Sequence, residues 1–163
     1  MNEAEPRRSL RRGLVRLAAG LAAMPVLGRS AKADDAKASP AGANPFASHH
    51  LVLQLSDDTP EKRALVLSVA YNMLNVYTPD GIAIEVVAFA EGIALLRAEA
   101  PERVRVDSLV AQGVRFDVCM NTIQTIERKT GKPVALNPKA HPVPAGVATI
   151  LNLVEHGYTL VRP

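Results

Sequence analysis

The sequence predicts an α/β fold, a three-layer α/β/α sandwich with a mainly parallel sheet of about five strands. Short apolar runs rich in β-forming residues alternate along the chain with longer stretches of helical, amphipathic spacing. This alternation is typical of parallel strands whose covering helices lie on both faces of the sheet. The 114 residues from His50 onward are enough for an aliphatic core without disulfides or a structural metal.

The predicted elements follow one another closely from His50 to the C-terminus. The predicted strands cover residues 50–55, 82–89, 114–119, 139–143 and 158–161. The predicted helices cover residues 59–77, 92–97, 104–112 and 121–129, with a last helix from Pro144 to just before Gly157. Sheet order does not follow from the sequence.

Local signals support these boundaries. Asp57 and Asp58 have the chemistry of a helix N-cap, and Pro60 in the first helical turn loses no hydrogen bond. The strand at 114–119 alternates apolar and charged residues, which predicts that it is less buried than the others. Asn121 is the predicted cap of the following helix, and Gly131 is its predicted end.

Ligands of such sheets gather at the carboxyl ends of the strands. Four predicted loops meet that criterion, at residues 56–59, 90–92, 119–122 and 143–146. Cys119 lies in the third of them, just before a predicted helix whose dipole and free N–H groups would lower the pKa of a thiol. It is the only cysteine, so it forms no intrachain disulfide. The alternative is a buried structural residue, because lone cysteines often act as small hydrophobes.

Other functional classes have little support. Seven of the 19 basic residues precede Asp34, and the rest of the chain has 12 basic and 14 acidic residues, which argues against nucleic-acid binding. The four histidines form no metal-ligand cluster in the sequence, so we predict no metal and no cofactor. No glycine-rich phosphate loop, dinucleotide fingerprint or serine-hydrolase elbow occurs.

The first 33 residues have the order of parts of a twin-arginine signal peptide. Arg11 and Arg12 precede an eleven-residue apolar run, and Ala31-Lys32-Ala33 is an A-x-A cleavage site. The general export route remains an alternative. We therefore predict a periplasmic protein cleaved after Ala33, with no stable membrane anchor in its mature form. Residues 34–48, rich in small and polar residues, are predicted to be a disordered spacer.

The domain at 49–163 resembles the DsrE/DsrF-like family of small sulfur-relay proteins, which have the YchN-type fold, and in particular its little-characterised DsrE-like branch. The matching segments are 113–116, leading to Cys119-Met120-Asn121-Thr122, then 143–147 and 157–163.

The resemblance implies a homo-oligomer, often a trimer or hexamer, in which Cys119 carries sulfane sulfur as a persulfide between a donor and an acceptor. Asn121 and Thr122 would then stabilise the anion. The alternative is a non-catalytic oligomeric module that binds a small ligand and uses Cys119 as a structural residue.

Overall fold

The computed structural model describes Asn44 and residues 46–163. The predicted signal peptide and most of the predicted spacer lie outside the described residues. The final residues of the spacer region contact the domain, since Ala47 is buried and the Ser48 hydroxyl donates to the Gly81 carbonyl at 3.4 Å.

The described chain forms the five strands and the alternating helices that the sequence predicts. The strands are β1 (His49–Leu55), β2 (Ile82–Ala88), β3 (Arg115–Cys119), β4 (His141–Val143) and β5 (Thr159–Val161). The helices are α1 (Pro60–Gly81), a 3-10 helix (Ala90–Leu96), α2 (Arg103–Ala111), α3 (Met120–Thr130) and α4 (Gly146–Glu155). A non-helical Thr78, with φ of 64°, interrupts α1 before its last turn.

All neighbouring strands are parallel, and their order is β4-β3-β2-β1-β5. On one side of β1 the strands β2, β3 and β4 follow in chain order, and β5 lies on its other side. Because crossovers between parallel strands are right-handed, the final β4-to-β5 connection runs in the opposite direction and places its helix on the opposite face. The fold is therefore the predicted α/β sandwich, and α4 is the only helix on the second face among the described residues.

The sheet separates the hydrophobic core into two clusters, one on each face. On the first face, apolar side chains of the sheet pack against α1, the 3-10 helix, α2 and α3, for example through Leu67, Leu96 and Ile123. On the second face a smaller cluster joins Val52 and Val87 to Ile150 and Leu153 of α4. The thin cover of the second face leaves room there for polar side chains of β2, β3 and β4.

Three local predictions were wrong. Asp57 and Asp58 do not cap α1; Thr59 does, through its hydroxyl, which accepts from the Lys62 N–H at 3.2 Å. The N-cap of α3 is Cys119 and not Asn121, so the helix begins directly at the end of the strand.

The third concerns β3, which was expected to be less buried. All of its residues from Phe116 to Cys119 are buried, and Asp117 is 0% exposed. The cause is local pairing, because Arg115 Nε donates to Asp117 Oδ1 at 2.9 Å and makes burial of the charge possible.

One surface of the domain is unusually apolar. Val147, Leu151 and Val154 lie on the outer side of α4 at helical spacing and are exposed. Leu160 and Val161 of the edge strand β5 are exposed as well. We call these five residues the α4–β5 patch. Within the described residues, no helix is both long enough and apolar enough to span a bilayer.

Candidate functional site

The carboxyl ends of the central strands lie together at one end of the sheet. There, Gly92 of the segment after β2 packs directly against the backbone at the end of β1. Its N–H donates to the Ser56 carbonyl at 3.2 Å, and a Cβ atom at this position would lie 2.3 Å from the Leu55 carbonyl oxygen. No side chain fits there. This contact joins the loop after β2 to the end of β1 and forms one wall of the site.

Cys119 is the last residue of β3 and pairs in register with Val143 of β4. The residue is only 5% exposed. It directly precedes Met120, the first residue of α3, and the loop after β4 brings Gly146, the first residue of α4, against it. Two helix N-termini therefore converge on one thiol, each with free N–H groups and the positive end of a helix dipole.

These donors control the ionisation of the thiol. Burial raises the pKa of Cys119, but hydrogen bonds from the Gly146 N–H and from the hydroxyl and N–H of Thr122 outweigh burial. The net effect lowers the pKa of the thiol below that of an ordinary cysteine. The Asn121 N–H contributes least, and it also donates to the Pro144 carbonyl at 3.2 Å. The surroundings of the sulfur thus favour a thiolate.

The Thr122 hydroxyl is oriented by a second contact. The backbone N–H of Ala90 donates to Thr122 Oγ1 at 3.1 Å, so the oxygen is used as an acceptor and its own hydrogen is free for the sulfur. Ala90 has φ of 49°, a left-handed conformation that is uncommon for a residue with a side chain. Strained backbone of this kind clusters at functional sites. The hydrogen bond from Ala90 to Thr122 connects the loop after β2 to the residue that acts on the thiol.

A cavity of about 680 Å³ opens beside this arrangement, between the 3-10 helix and α3. Asn121 and Thr122 line it, together with Thr125 and Lys129 further along α3. The other lining residues are Asp58, Ala90, Glu91, Ile93, Ala94, Arg97 and Ile126. Three of the four loops predicted to surround a ligand therefore contribute to one cavity, namely those after β1, β2 and β3.

A second group of ionisable side chains lies on the α4 face of the sheet. Glu85 is 3% exposed, and its Oε1 accepts a hydrogen bond of 3.3 Å from the Tyr158 hydroxyl. Arg115 Nε lies 3.8 Å from Glu85 Oε2, and His141 Nδ1 lies 3.2 Å from Asp117 Oδ1. Burial and the neighbouring Asp117 carboxylate raise the pKa of Glu85 to about 8.

The structure places Cys119, Asn121 and Thr122 close together at the start of α3. Thr122 acts on the sulfur through its hydroxyl and its N–H, and Asn121 acts through its N–H. Both residues also line the cavity. The sequence predicts that the loops at 90–92 and 143–146 lie near a ligand, but it does not reveal the contact of Ala90 with Thr122 or that of Gly146 with Cys119. The loop at 143–146 had been singled out as a strand end, but only the order of the strands brings Gly146 next to the cysteine.

In the part of the chain that the structure describes, no group of three or more His, Cys, Asp and Glu side chains could hold a metal ion. Cys119 there has Gly146, Thr122 and Asn121 as its polar neighbours. These neighbours favour the thiolate form of Cys119.

Comparison with known proteins gives a fold and no activity. No family model matches the sequence, and a search of curated proteins finds no match. The chain is similar to the solved structure of MTH1491 from Methanobacterium thermoautotrophicum, a protein of unknown function. The two share 27% sequence identity with a TM-score of 0.64, over 71% of this chain and 99% of the other. That likeness supports the α/β fold over nearly the whole of the shorter protein.

Proposed function

We propose that this protein binds or relays sulfane sulfur as a persulfide on Cys119. The observation that carries the proposal is the convergence of two helix N-termini and the Thr122 hydroxyl on a single thiol whose pKa they lower. A thiolate is the nucleophile in sulfur exchange, and a persulfide is an anion that the same donors can hold. The resemblance to the DsrE/DsrF-like family points to the same residue.

The relay needs two thiol–persulfide exchange steps. Neither step needs an external oxidant or reductant, because the sulfane sulfur only moves from one thiolate to another. The Cys119 thiolate attacks the terminal sulfur of a donor, the new Sγ–S bond forms, and the donor leaves with the electron pair of its broken S–S bond. An acceptor thiolate then attacks the outer sulfur of the Cys119 persulfide, and the Cys119 thiolate is released. The Gly146 N–H and the Thr122 hydroxyl stabilise the negative charge at each stage.

Mass spectrometry after incubation with polysulfide tests the proposal. We expect the chain to gain about 32 Da, one sulfur atom, and a thiol reductant to remove it. Cys119→Ser should gain nothing while keeping the fold, because serine preserves nearly the same volume and the same backbone contacts. Since Cys119 is the only cysteine, any remaining adduct on this variant would locate the sulfur elsewhere and contradict the proposal.

The second candidate is a non-catalytic oligomeric module that binds a small ligand and uses Cys119 as a structural residue. The low exposure of Cys119, 5%, is the observation that favours it. The two candidate functions predict different reactivity of Cys119 in the folded protein. A relay predicts that a small reagent modifies the folded protein at neutral pH, whereas a structural cysteine reacts only after the chain unfolds.

The wider setting is also a proposal. The segments around Cys119 and Gly146 support membership of the DsrE/DsrF-like family as part of this proposal, and the export pattern supports a relay that works in the periplasm. A homo-oligomer is supported by the α4–β5 patch, because contiguous exposed apolar residues of this kind mark interaction surfaces. Donor and acceptor proteins would then approach the carboxyl ends of the strands, where Cys119 lies.

A further inference from the structure

The two edge strands of the sheet differ in how they are protected against pairing with a further strand. β4 has Pro142 at its centre, and proline is one of the residues that natural edge strands use to block such pairing. The three residues of β5, Thr159–Val161, include neither proline nor a charged side chain. An unprotected edge is a template for another strand. The β5 edge is therefore suited to a partner strand, whereas the β4 edge is not.

Side chains of β5 are exposed on both faces of the sheet. Leu160 pairs in register with Val52, which belongs to the core cluster under α4, so the Leu160 side chain lies on the α4 face. Val161 pairs with Leu53, which belongs to the cluster on the opposite face. Leu160 is 44% exposed and Val161 is 38% exposed. A partner on one face would cover only one of these side chains, whereas a strand added to the edge flanks both.

The exposed apolar residues of α4 lie on the flank of the helix that faces the β5 edge. Ile150 and Leu153 point into the core, and each residue of a helix is turned about 100° from the one before it. Val147, Leu151 and Val154 are therefore centred about 100° from the buried side of α4. The right-handed crossover from β4 to β5 directs this flank toward β5 and away from β3.

The residues that follow β5 turn back toward their own domain. Arg162 Nη2 donates to the Ser56 hydroxyl at 3.4 Å, and Lys62 Nζ donates to the Pro163 carbonyl at 2.8 Å. Both contacts are to elements on the β1 side of β5, which is the side away from the edge. The edge of β5 and the neighbouring flank of α4 therefore stay open together.

We propose that β5 pairs antiparallel with β5 of a second copy of this chain across a two-fold axis, so that two sheets join into one. The inference rests on the proposed homo-oligomer and names its interface. A second copy is the occupant because one symmetry operation covers both features. The two edges pair, and the two α4 flanks, which lie on the same face of the joined sheet, pack against each other. A strand from another protein would cover the edge and leave the α4 flank exposed.

The symmetry also fixes the register of the two strands. Opposite residues of antiparallel strands point to the same face, and both α4 helices lie on one face, so the central residue lies opposite its own counterpart. Placing Leu160 at the centre puts Thr159 opposite Val161 and uses every residue of β5. A two-fold interface joins copies in pairs, so it fits a dimer or the predicted hexamer and cannot by itself form a trimer.

Cysteine cross-linking on the full mature chain tests this interface. Leu160→Cys is made in the Cys119→Ser background, where it is the only thiol. Opposite residues of antiparallel strands have Cα atoms about 4.5–5.5 Å apart, within the range that a disulfide spans. With diamide as the oxidant, we expect a disulfide-linked dimer to form roughly tenfold faster or more than with Val104→Cys. The interface holds the two thiols at an effective concentration on the order of millimolar, whereas thiols outside it meet only by collision.

Two control variants make the cross-link specific. Val104→Cys places a thiol at an exposed apolar position of α2, outside the α4–β5 patch. Thr159→Cys keeps the thiol in β5 but moves it from the centre of the pairing, where its counterpart lies about 7–8 Å away on the diagonal. Because a disulfide needs Cα atoms closer than about 7 Å, Thr159→Cys should cross-link more slowly than Leu160→Cys.

Backbone amide exchange checks the pairing without any introduced cysteine. At tens of micromolar, roughly the usual assay range, the β5 amides of the parent protein should exchange slowly, because the partner strand accepts their hydrogen bonds. Leu151→Glu, which places a charge on the α4 flank, should lose this protection. The amides of β4, at the other edge, should exchange equally in both proteins.

The outcomes separate this interface from the proposals on which it rests. A Leu160→Cys cross-link no faster than that of Val104→Cys or Thr159→Cys would overturn the interface and leave the homo-oligomer standing, as would a parent protein that is a trimer by light scattering. A monomeric parent would overturn the homo-oligomer and the inference together, and the edge would then be open to a strand of another protein. The persulfide on Cys119 is measured separately, by the gain of mass, and none of these results changes it.

Discussion

Gly146 and Cys119 lie so close together, at the ends of two parallel strands, that no side chain fits between them without a shift. A Cβ atom added to Gly146 would lie 3.3 Å from Cys119 Cβ and 3.1 Å from Phe89 Cβ, both closer than ordinary side-chain contacts. Because Gly146 has no side chain, the first N–H of α4 can approach the sulfur and donate to it. The conformation of the site thus depends on a glycine that has an ordinary φ and is required only for its size.

Gly146→Ala should therefore weaken the site without unfolding the domain. The added methyl group displaces α4 from Cys119, the N–H donor moves away, and we expect the pKa of the thiol to rise. The pH dependence of alkylation by a small reagent measures this change. Gly81→Ala is the matched control, because a Cβ there would meet its nearest atom at 3.6 Å, an ordinary contact. Equal pH profiles for the two variants would contradict the role of Gly146.

Thr122→Val tests the hydroxyl contact at constant shape. Valine cannot accept from the Ala90 N–H, nor donate to the sulfur, so the pKa of Cys119 should rise and persulfide formation should slow. The lost backbone contact should also lower the free energy of unfolding by about 0.5–1.5 kcal/mol. Chemical denaturation and alkylation rates measure the two effects. Thr122→Ser, which keeps the hydroxyl, should behave like the parent, and if it fails as valine does, the methyl group and not the hydrogen bond is responsible.

Features of the fold and the site that depend on residues close in sequence could be predicted, whereas contacts between distant segments could not. The alternation of strands and helices, and the position of Cys119 at the end of β3, depend on neighbouring residues and were predictable. The contact between Cys119 and Gly146 depends on β4 lying next to β3, which periodicity cannot show. The burial of Asp117 was not predicted either, because it depends in part on a contact with another strand. Its charge is tolerated inside the protein because Arg115 lies two residues away and His141 lies on the adjacent strand.

The α4–β5 patch predicts self-association. A charge introduced at its centre by Leu151→Glu should dissociate the oligomer, because an unpaired carboxylate cannot be buried against an apolar partner surface. Light scattering or sedimentation at tens of micromolar, roughly the usual assay range, reports the mass. Val104→Glu provides the control, since Val104 is an exposed apolar residue of α2 outside the patch. A parent protein that is monomeric under these conditions would exclude this interface.

Export can be tested on the residues that precede the domain. The double change Arg11→Lys and Arg12→Lys should stop export if the twin-arginine route is used, because that route requires the arginine pair, and the precursor should accumulate in the cytoplasm. Fractionation followed by mass spectrometry identifies both the compartment and the N-terminus, which we expect at Asp34. Normal export of the variant would indicate the general route, and an intact Met1 in the periplasm would contradict both.

The buried Glu85 predicts that stability falls as pH rises. Its pKa is about 8 in the folded protein against 4.5 for the free side chain, so the folded state holds a proton that the unfolded chain releases. The stabilisation is complete below about pH 4.5 and is lost progressively toward pH 8, where the carboxylate must be buried beside Asp117. Asp117 Oδ2 is buried without a donor among the described residues, and a protonated Glu85 would hydrogen-bond to the Asp117 carboxylate.

Glu85→Gln isolates this effect. The amide can still donate to Asp117 and accept from the Tyr158 hydroxyl, but it does not titrate. We expect the variant to match the parent at pH 4.5 and to be more stable at pH 8, by an amount on the order of a few kcal/mol, as measured by urea denaturation across this range. Arg115, His141 and Asp117 are present in both proteins, so the difference between the two curves reports the ionisation of Glu85 beside Asp117. Glu99→Gln, at an exposed position, should leave the parental curve unchanged. If the parent and Glu85→Gln show the same pH dependence, Glu85 is ionised in the folded protein and the shared proton with Asp117 does not exist.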